Sequence, residues 1–202
     1  MHQLVALHLL AGRHLAPAEL GDGALPAGDE VVLELVEGGA VAQAFLAHGL
    51  TAASMDQVRQ AAGVSNGSLY HHFPTKAQLA DALYAHTLRG FHAALLVPIT
   101  GRATAQSGVK GLIRAYVQWV VAHPDRARLL EELRAAGGVE RNAANAEGFG
   151  ALAAWIARRV EAGDMRDLPF PVWMALVFSP AIALTRHWAR QPEPAIPAPV
   201  RS

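Results

Sequence analysis

With 202 residues, 17 Lys and Arg against 17 Asp and Glu, and no cysteine, the chain has room for one large domain or for a small domain joined to a larger one. The lack of cysteine excludes disulfides and thiolate metal sites and suits a reducing, cytoplasmic setting. A formal net charge of zero excludes coating of nucleic acid through a bulk basic excess, yet it leaves open a module that makes a few phosphate contacts.

The acidity is concentrated at the front. Residues 1–44 carry Arg13 against Glu19, Asp22, Asp29, Glu30, Glu34 and Glu37. The opening MHQLVALHLL is too short to span a bilayer and lacks the cationic start and cleavage site of a secretory signal, so it reads as a short helix or a loose tail. From Ala11 to Asp29, Gly12, Pro17, Gly21, Gly23, Pro26 and Gly28 recur at short intervals, the pattern of a linker. Residues 1–30 are therefore read as a poorly ordered or atypical extension. The run 31–50 should contain a helix, but Gly38 and Gly39 fall inside it. Two glycines cost about 2 kcal/mol relative to alanine in a helix interior, so the helix starts near Ala40 or is broken there.

The segment Ser54–Leu79 carries the clearest pattern. Ser54-Met55-Asp56-Gln57 has the form of a capping box, in which the serine oxygen takes an amide one turn in and the glutamine reaches back to its cap. Met55, Val58, Ala61 and Ala62 follow at helical spacing as a narrow apolar stripe. Gly63 supplies the left-handed residue past the helix end. Val64 pins the turn, and Ser65 caps a short helix from Asn66 to His72, in which Leu69 and Phe73 make the buried face. Pro74 breaks that helix, and Thr75-Lys76-Ala77-Gln78 is a second capping box. Helix, glycine turn, short helix and capped long helix make a helix-turn-helix with its third element attached.

The run AAGVSNGSLYHHFPTKAQL resembles the DNA-binding motif of TetR-type transcriptional regulators over about thirty residues, at Ala62, Gly63, Val64, Ser65, Gly67, Leu69, Tyr70, Phe73 and Lys76. Arg59 departs from it, since such sequences usually carry alanine there. The resemblance implies an all-α chain, with an N-terminal helix-turn-helix domain over residues 31–90 and a larger helical domain over 91–192 that binds an effector and dimerises. It also implies DNA contacts from Ser54, Ser65, Asn66, Gly67, Ser68, Tyr70, His71 and Lys76. The ending Val41, Phe45, His48-Gly49 is similar to the close of the family's first helix, whereas the acidic, glycine-broken start lacks the family's basic arm. Two explanations stand side by side: a divergent head with a weakened grip on DNA, or a front of forty residues foreign to the ancestral gene.

Beyond the motif, Lys76 to about Leu96 reads as a long helix with Leu79, Leu83, His86/Thr87 and Gly90/Phe91 along its buried side, closed by Pro98. Residues 99–108 read as a loop. Helices are expected over Val109–His123, Arg126–Ala136 with Asp125 as cap, Glu140–Ala162, and Pro171 to about Arg190 with a kink at Pro180. Residues 193–202 are a proline-rich tail. No alternating strand pattern stands out.

Tyr116, Trp119, Phe149 and Trp155 are ordinarily core residues, but the resemblance implies an effector pocket in this region. The candidate lining is Arg114, Tyr116, Trp119, His123, Phe149 and Trp155. The last helix is apolar nearly all round and resembles the family's dimerisation helix, which implies an interface with Leu152, Trp155, Ile156, Trp173, Val177, Ile182 and Trp188. His71 and His72 are neighbours rather than an i, i+4 pair, so no metal site or cofactor is expected. No nucleophile, base and orienting acid come together, so no enzyme is expected either. The expected partners are an operator duplex, a second copy of the chain and a small molecule, with no membrane. The expected function is a ligand-released homodimeric repressor, the alternative being a helical interaction protein that has lost DNA binding.

Overall fold

The computed structural model describes residues 39–101, 103–135 and 139–189. The expected linker, the first half of the 31–50 run and the proline-rich tail lie outside the described residues. The described residues form eight α-helices: α1 Ala40–His48, α2 Met55–Ala62, α3 Asn66–His72, α4 Lys76–Leu96, α5 Ala105–Ala122, α6 Pro124–Ala135, α7 Val139–Glu161 and α8 Phe170–Ala189, with a 3-10 turn at Val97–Ile99. The described residues are all-α, with the helix-turn-helix toward their N-terminal end.

Helix α1 begins where the glycine pair permits. Gly39 sits in the left-handed region at φ 73°, no side chain caps the helix, and nine residues follow before Gly49 ends it. Helix α5 starts earlier than the expected Val109, because the Thr104 hydroxyl accepts from the Ser107 amide at 3.2 Å and caps a helix from Ala105. The region expected to be a loop therefore contributes a helical turn. Helix α6 starts at Pro124 rather than after an Asp125 cap; proline is favoured at a first helical position, where its fixed φ fits and no amide is needed. Helix α8 runs through Pro180 without interruption.

The described residues group into two compact units, one of 39–91 with 125–148, the other of 92–124 with 149–189. Helix α6 and the first part of α7 group with the helix-turn-helix residues in the first unit. In the first unit, α1 packs on α2, and α2 on α3. Val41, Phe45, Val58, Leu69, Leu79, Leu83 and Tyr84 are buried in its core. Two long-range polar ties support it. Asn145 Nδ2 donates to the Tyr84 hydroxyl at 3.1 Å, and Arg128 donates to the Leu46 carbonyl at 3.3 Å.

In the second unit, α5 packs against α8 and against the 3-10 turn. The approach is close at two glycines: a Cβ at Gly108 would collide with the Trp155 ring, and one at Gly111 with Pro98. Leu112, Trp119, Leu152, Trp155, Met174 and Phe178 form the core. Among the described residues no helix is long and apolar enough to cross a membrane.

Candidate nucleic-acid interface

The local sequence builds the head as its capping residues dictate. Ser54 and Gln57 form a complete capping box, with Ser54 N–H to Gln57 Oε1 at 2.8 Å and Gln57 N–H to Ser54 Oγ at 3.2 Å. Gly63 is left-handed at φ 69°, and its amide and that of Val64 return to the Gln60 and Arg59 carbonyls. The Ser65 hydroxyl accepts from Ser68 N–H at 3.2 Å. Thr75 and Gln78 close a second box, with Thr75 N–H to Gln78 Oε1 at 3.1 Å and Gln78 N–H to Thr75 Oγ1 at 3.2 Å. Each satisfied cap contributes about 1 kcal/mol.

Helix α3 is anchored from beneath and open above. Leu69 and Phe73 are buried, whereas Ser65, Asn66, Gly67 and His71 are exposed and Tyr70 keeps 46% of its surface. Ser68 is half-buried. A phenol on a helix with a well-packed opposite face has its body and hydroxyl free for an outside partner. Gly67 is informative for another reason. It lies inside a helix, where glycine costs about 1 kcal/mol, yet a Cβ there would meet only Ser65 Oγ at 4.0 Å. Among the described residues nothing crowds this position.

Two residues depart from expectation in their surroundings. Lys76 does not simply extend into solvent: its ammonium lies 2.8 Å from the Thr51 carbonyl and 3.1 Å from that of Ala53. Arg59, on α2, is half-buried, with its Nε 3.7 Å from Asp56 Oδ1. The small side chain that the motif usually has there is thus replaced by a cation held against its own helix. Of the α2 stripe, Val58 is buried and Met55 and Ala62 are half-buried, but Ala61 is exposed. His71 and His72 meet edge to face with ring centroids 5.0 Å apart.

The candidate effector residues all fall in the second unit, in separate surroundings. Phe149 is buried between His92 and Phe170, at 5.2 and 6.0 Å between centroids. Tyr116 meets Phe178 edge-on at 5.9 Å. Trp119 stacks on His123 at 5.3 Å, and His123 Nδ1 lies 3.1 Å from the Trp119 carbonyl at the end of α5. Trp155 is buried against Gly108, and Arg114 is exposed. His92, absent from the candidate set, is 6% exposed, and burial pushes its imidazole down to about 4. Its distance from the motif left no sequence signal beyond its place on a long helix.

The residues expected at the dimer interface are placed differently from an outer surface. Leu152, Trp155, Ile156, Trp173 and Ile182 are buried within one chain, and Val177 and Trp188 are half-buried. The outward faces are others. On α8, Val172, Leu176 and Leu184 are 44%, 66% and 44% exposed. On α7, Gly150, Ala151, Ala154 and Ala157 are exposed.

Residues 40–83 match the model of the family described as bacterial regulatory proteins, tetR family. The fold is similar to that of a TetR family transcription regulator from Marinobacter aquaeolei VT8, with a TM-score of 0.69 and 20% identity over 84% of this chain and 88% of that one. A bacterial regulatory protein of the tetR family from Rhodococcus RHA1 gives a TM-score of 0.64 at 20% identity, covering 83% and 89%. A TetR family transcriptional regulator from Thermus thermophilus gives 0.59 at 21%, covering 82% and 88%.

Proposed function

We propose that this chain, whose residues 40–83 match the model of the tetR family of bacterial regulatory proteins, is a DNA-binding transcriptional regulator of the cytoplasm, acting as a homodimeric repressor on a palindromic operator and released by a small molecule. The observation that carries this is α3, with Leu69 and Phe73 buried beneath while Asn66, Gly67, Tyr70 and His71 face outward. A seven-residue helix with small residues at its start fits a major groove, and the missing side chain of Gly67 lets the backbone approach the duplex. Ser54, Ser65 and Ser68 add short hydroxyls at the two helix starts, and Lys76 braces the turn before the first of them.

The second copy would seat on the outward faces of α7 and α8. Val172, Leu176, Pro180, Ala183, Leu184 and His187 share roughly 120° of the helix circumference at 100° per residue. All six are exposed. Opposite an apolar face of this kind, the small residues Gly150, Ala154 and Ala157 allow close helix approach. A two-fold pairing places two heads for half-sites one DNA turn, or a multiple of it, apart. The effector would enter among Tyr116, Trp119, Phe149 and Trp155, with His123 as a polar neighbour and exposed Arg114 at most at the rim. It would act by favouring the head spacing that does not fit the operator.

Fluorescence anisotropy with duplexes from the gene's own upstream region tests the reading. Salt-sensitive binding that weakens at least about tenfold in Tyr70→Ala is expected. A folded dimer that binds no upstream fragment sinks it. That outcome would favour the alternative of a helical interaction protein, for which the uncapped, nine-residue α1 is the supporting feature.

A further inference from the structure

We propose that Lys76 is a positioning residue whose ammonium ties the first turn of α4 to the turn in front of α2, and thereby sets where the start of α2 meets DNA. The inference rests on the DNA-binding reading and deepens it. The Lys76 Nζ reaches the carbonyls of Thr51 and Ala53 at 2.8 and 3.1 Å, across 25 and 23 residues of chain. Bonds of this kind, from a charged donor, are about twice as strong as those between neutral groups.

Their placement matters more than their number. Ala53 is 1% exposed and immediately precedes Ser54, whose amide and hydroxyl close the capping box of α2. The turn itself has the Ala53 amide bonded to the Gly49 carbonyl at 3.0 Å. Lysine also stands at the first position of α4, where the helix dipole disfavours a cation. The two carbonyls offset that cost and hold the charge where it is.

An ammonium has three N–H donors, and two are engaged here. The side chain cannot swing out to a phosphate without releasing both carbonyls, so its effect on DNA binding passes through the geometry of Thr51–Ser54. A lysine that acted only as a phosphate contact would be independent of Ser54; one that positions Ser54 would not.

A double-mutant cycle on the full chain separates these roles. Lys76→Met and Ser54→Ala, singly and together, are titrated with the upstream duplex, and amide exchange is followed in the DNA-free protein. In Lys76→Met, exchange over residues 51–58 is expected to rise about tenfold or more while α5 keeps its rates. Ser54→Ala should weaken DNA binding about fivefold in the parent and under about twofold in the Lys76→Met background. Unchanged exchange over 51–58, or losses that add to within about twofold, overturn the proposal. Lys76→Gln replaces the methionine variant if that fails to fold. A folded parent chain that binds no duplex removes the regulator reading instead, and the exchange rates still decide whether the tie holds the turn.

Discussion

A methyl group added at Gly108 should destabilise the protein, although in an ordinary helix the same change stabilises it. Gly108 is buried on α5, and its added Cβ would overlap Cζ2 of Trp155, lie 2.7 Å from Cη2 and 3.3 Å from Ile99 Cγ2. Trp155 is 2% exposed and Ile99 7%, so neither can move aside without disturbing the packed interior of the second unit. Overpacking of this kind costs about 1–3 kcal/mol, against a gain of about 1 kcal/mol in helix propensity. The tryptophan ring is rigid and in contact on two of its atoms, which places the cost at the upper end. A net loss of about 1–2 kcal/mol corresponds to a fall in Tm of roughly 2–8 °C for a chain of this size. Thermal unfolding followed by circular dichroism, at one protein concentration, measures it. Gly90→Ala is the internal control, because that residue is exposed on α4 with nothing within 4 Å of its added Cβ, and it should raise Tm by about 2–4 °C. A Gly108→Ala protein as stable as the parent, or stabilised like Gly90→Ala, would refute the close approach of α5 to Trp155.

Burial holds His92 at about 4 instead of 6.5, so between those pH values the unfolded chain binds the proton and the folded chain does not. The sign follows: stability rises with pH across this window and is lost as pH falls from 6.5 toward 4, by up to about 3 kcal/mol. Denaturant titrations at about pH 7 and about pH 5 should show about 2 kcal/mol of this loss, and His92→Leu should remove most of it. On α8, Leu176→Arg places a charge at the most exposed large apolar residue of the described chain. It should convert a dimer to monomers with α-helical content retained, as read by analytical ultracentrifugation and circular dichroism; a dimer of unchanged affinity would move the interface elsewhere.

The helix-turn-helix was legible because its signals are local. Caps at Ser54, Ser65 and Thr75, a left-handed glycine at Gly63 and a breaker at Pro74 act within one turn of the chain, and each acts in the folded protein as its chemistry requires. The start of α1 at Ala40 likewise follows a left-handed Gly39. The start of α5 went unread: Thr104 caps the helix ahead of the apolar periodicity, which begins only near Val109.

Sequence by itself determined which segments are helical and which of them carries the DNA-binding pattern, since propensity, capping and turn chemistry depend on neighbours three or four residues away. Tertiary structure alone decided which face of the last helix is inside. Helix α8 is apolar around most of its circumference, so periodicity could not distinguish the buried Trp173 and Ile182 from the exposed Val172 and Leu176; only the position of α5 against it does. The same holds for Lys76, whose motif position suggests a phosphate while carbonyls more than twenty residues earlier take two of its protons. Bonds across that span depend on how the helices pack, and no local pattern encodes them.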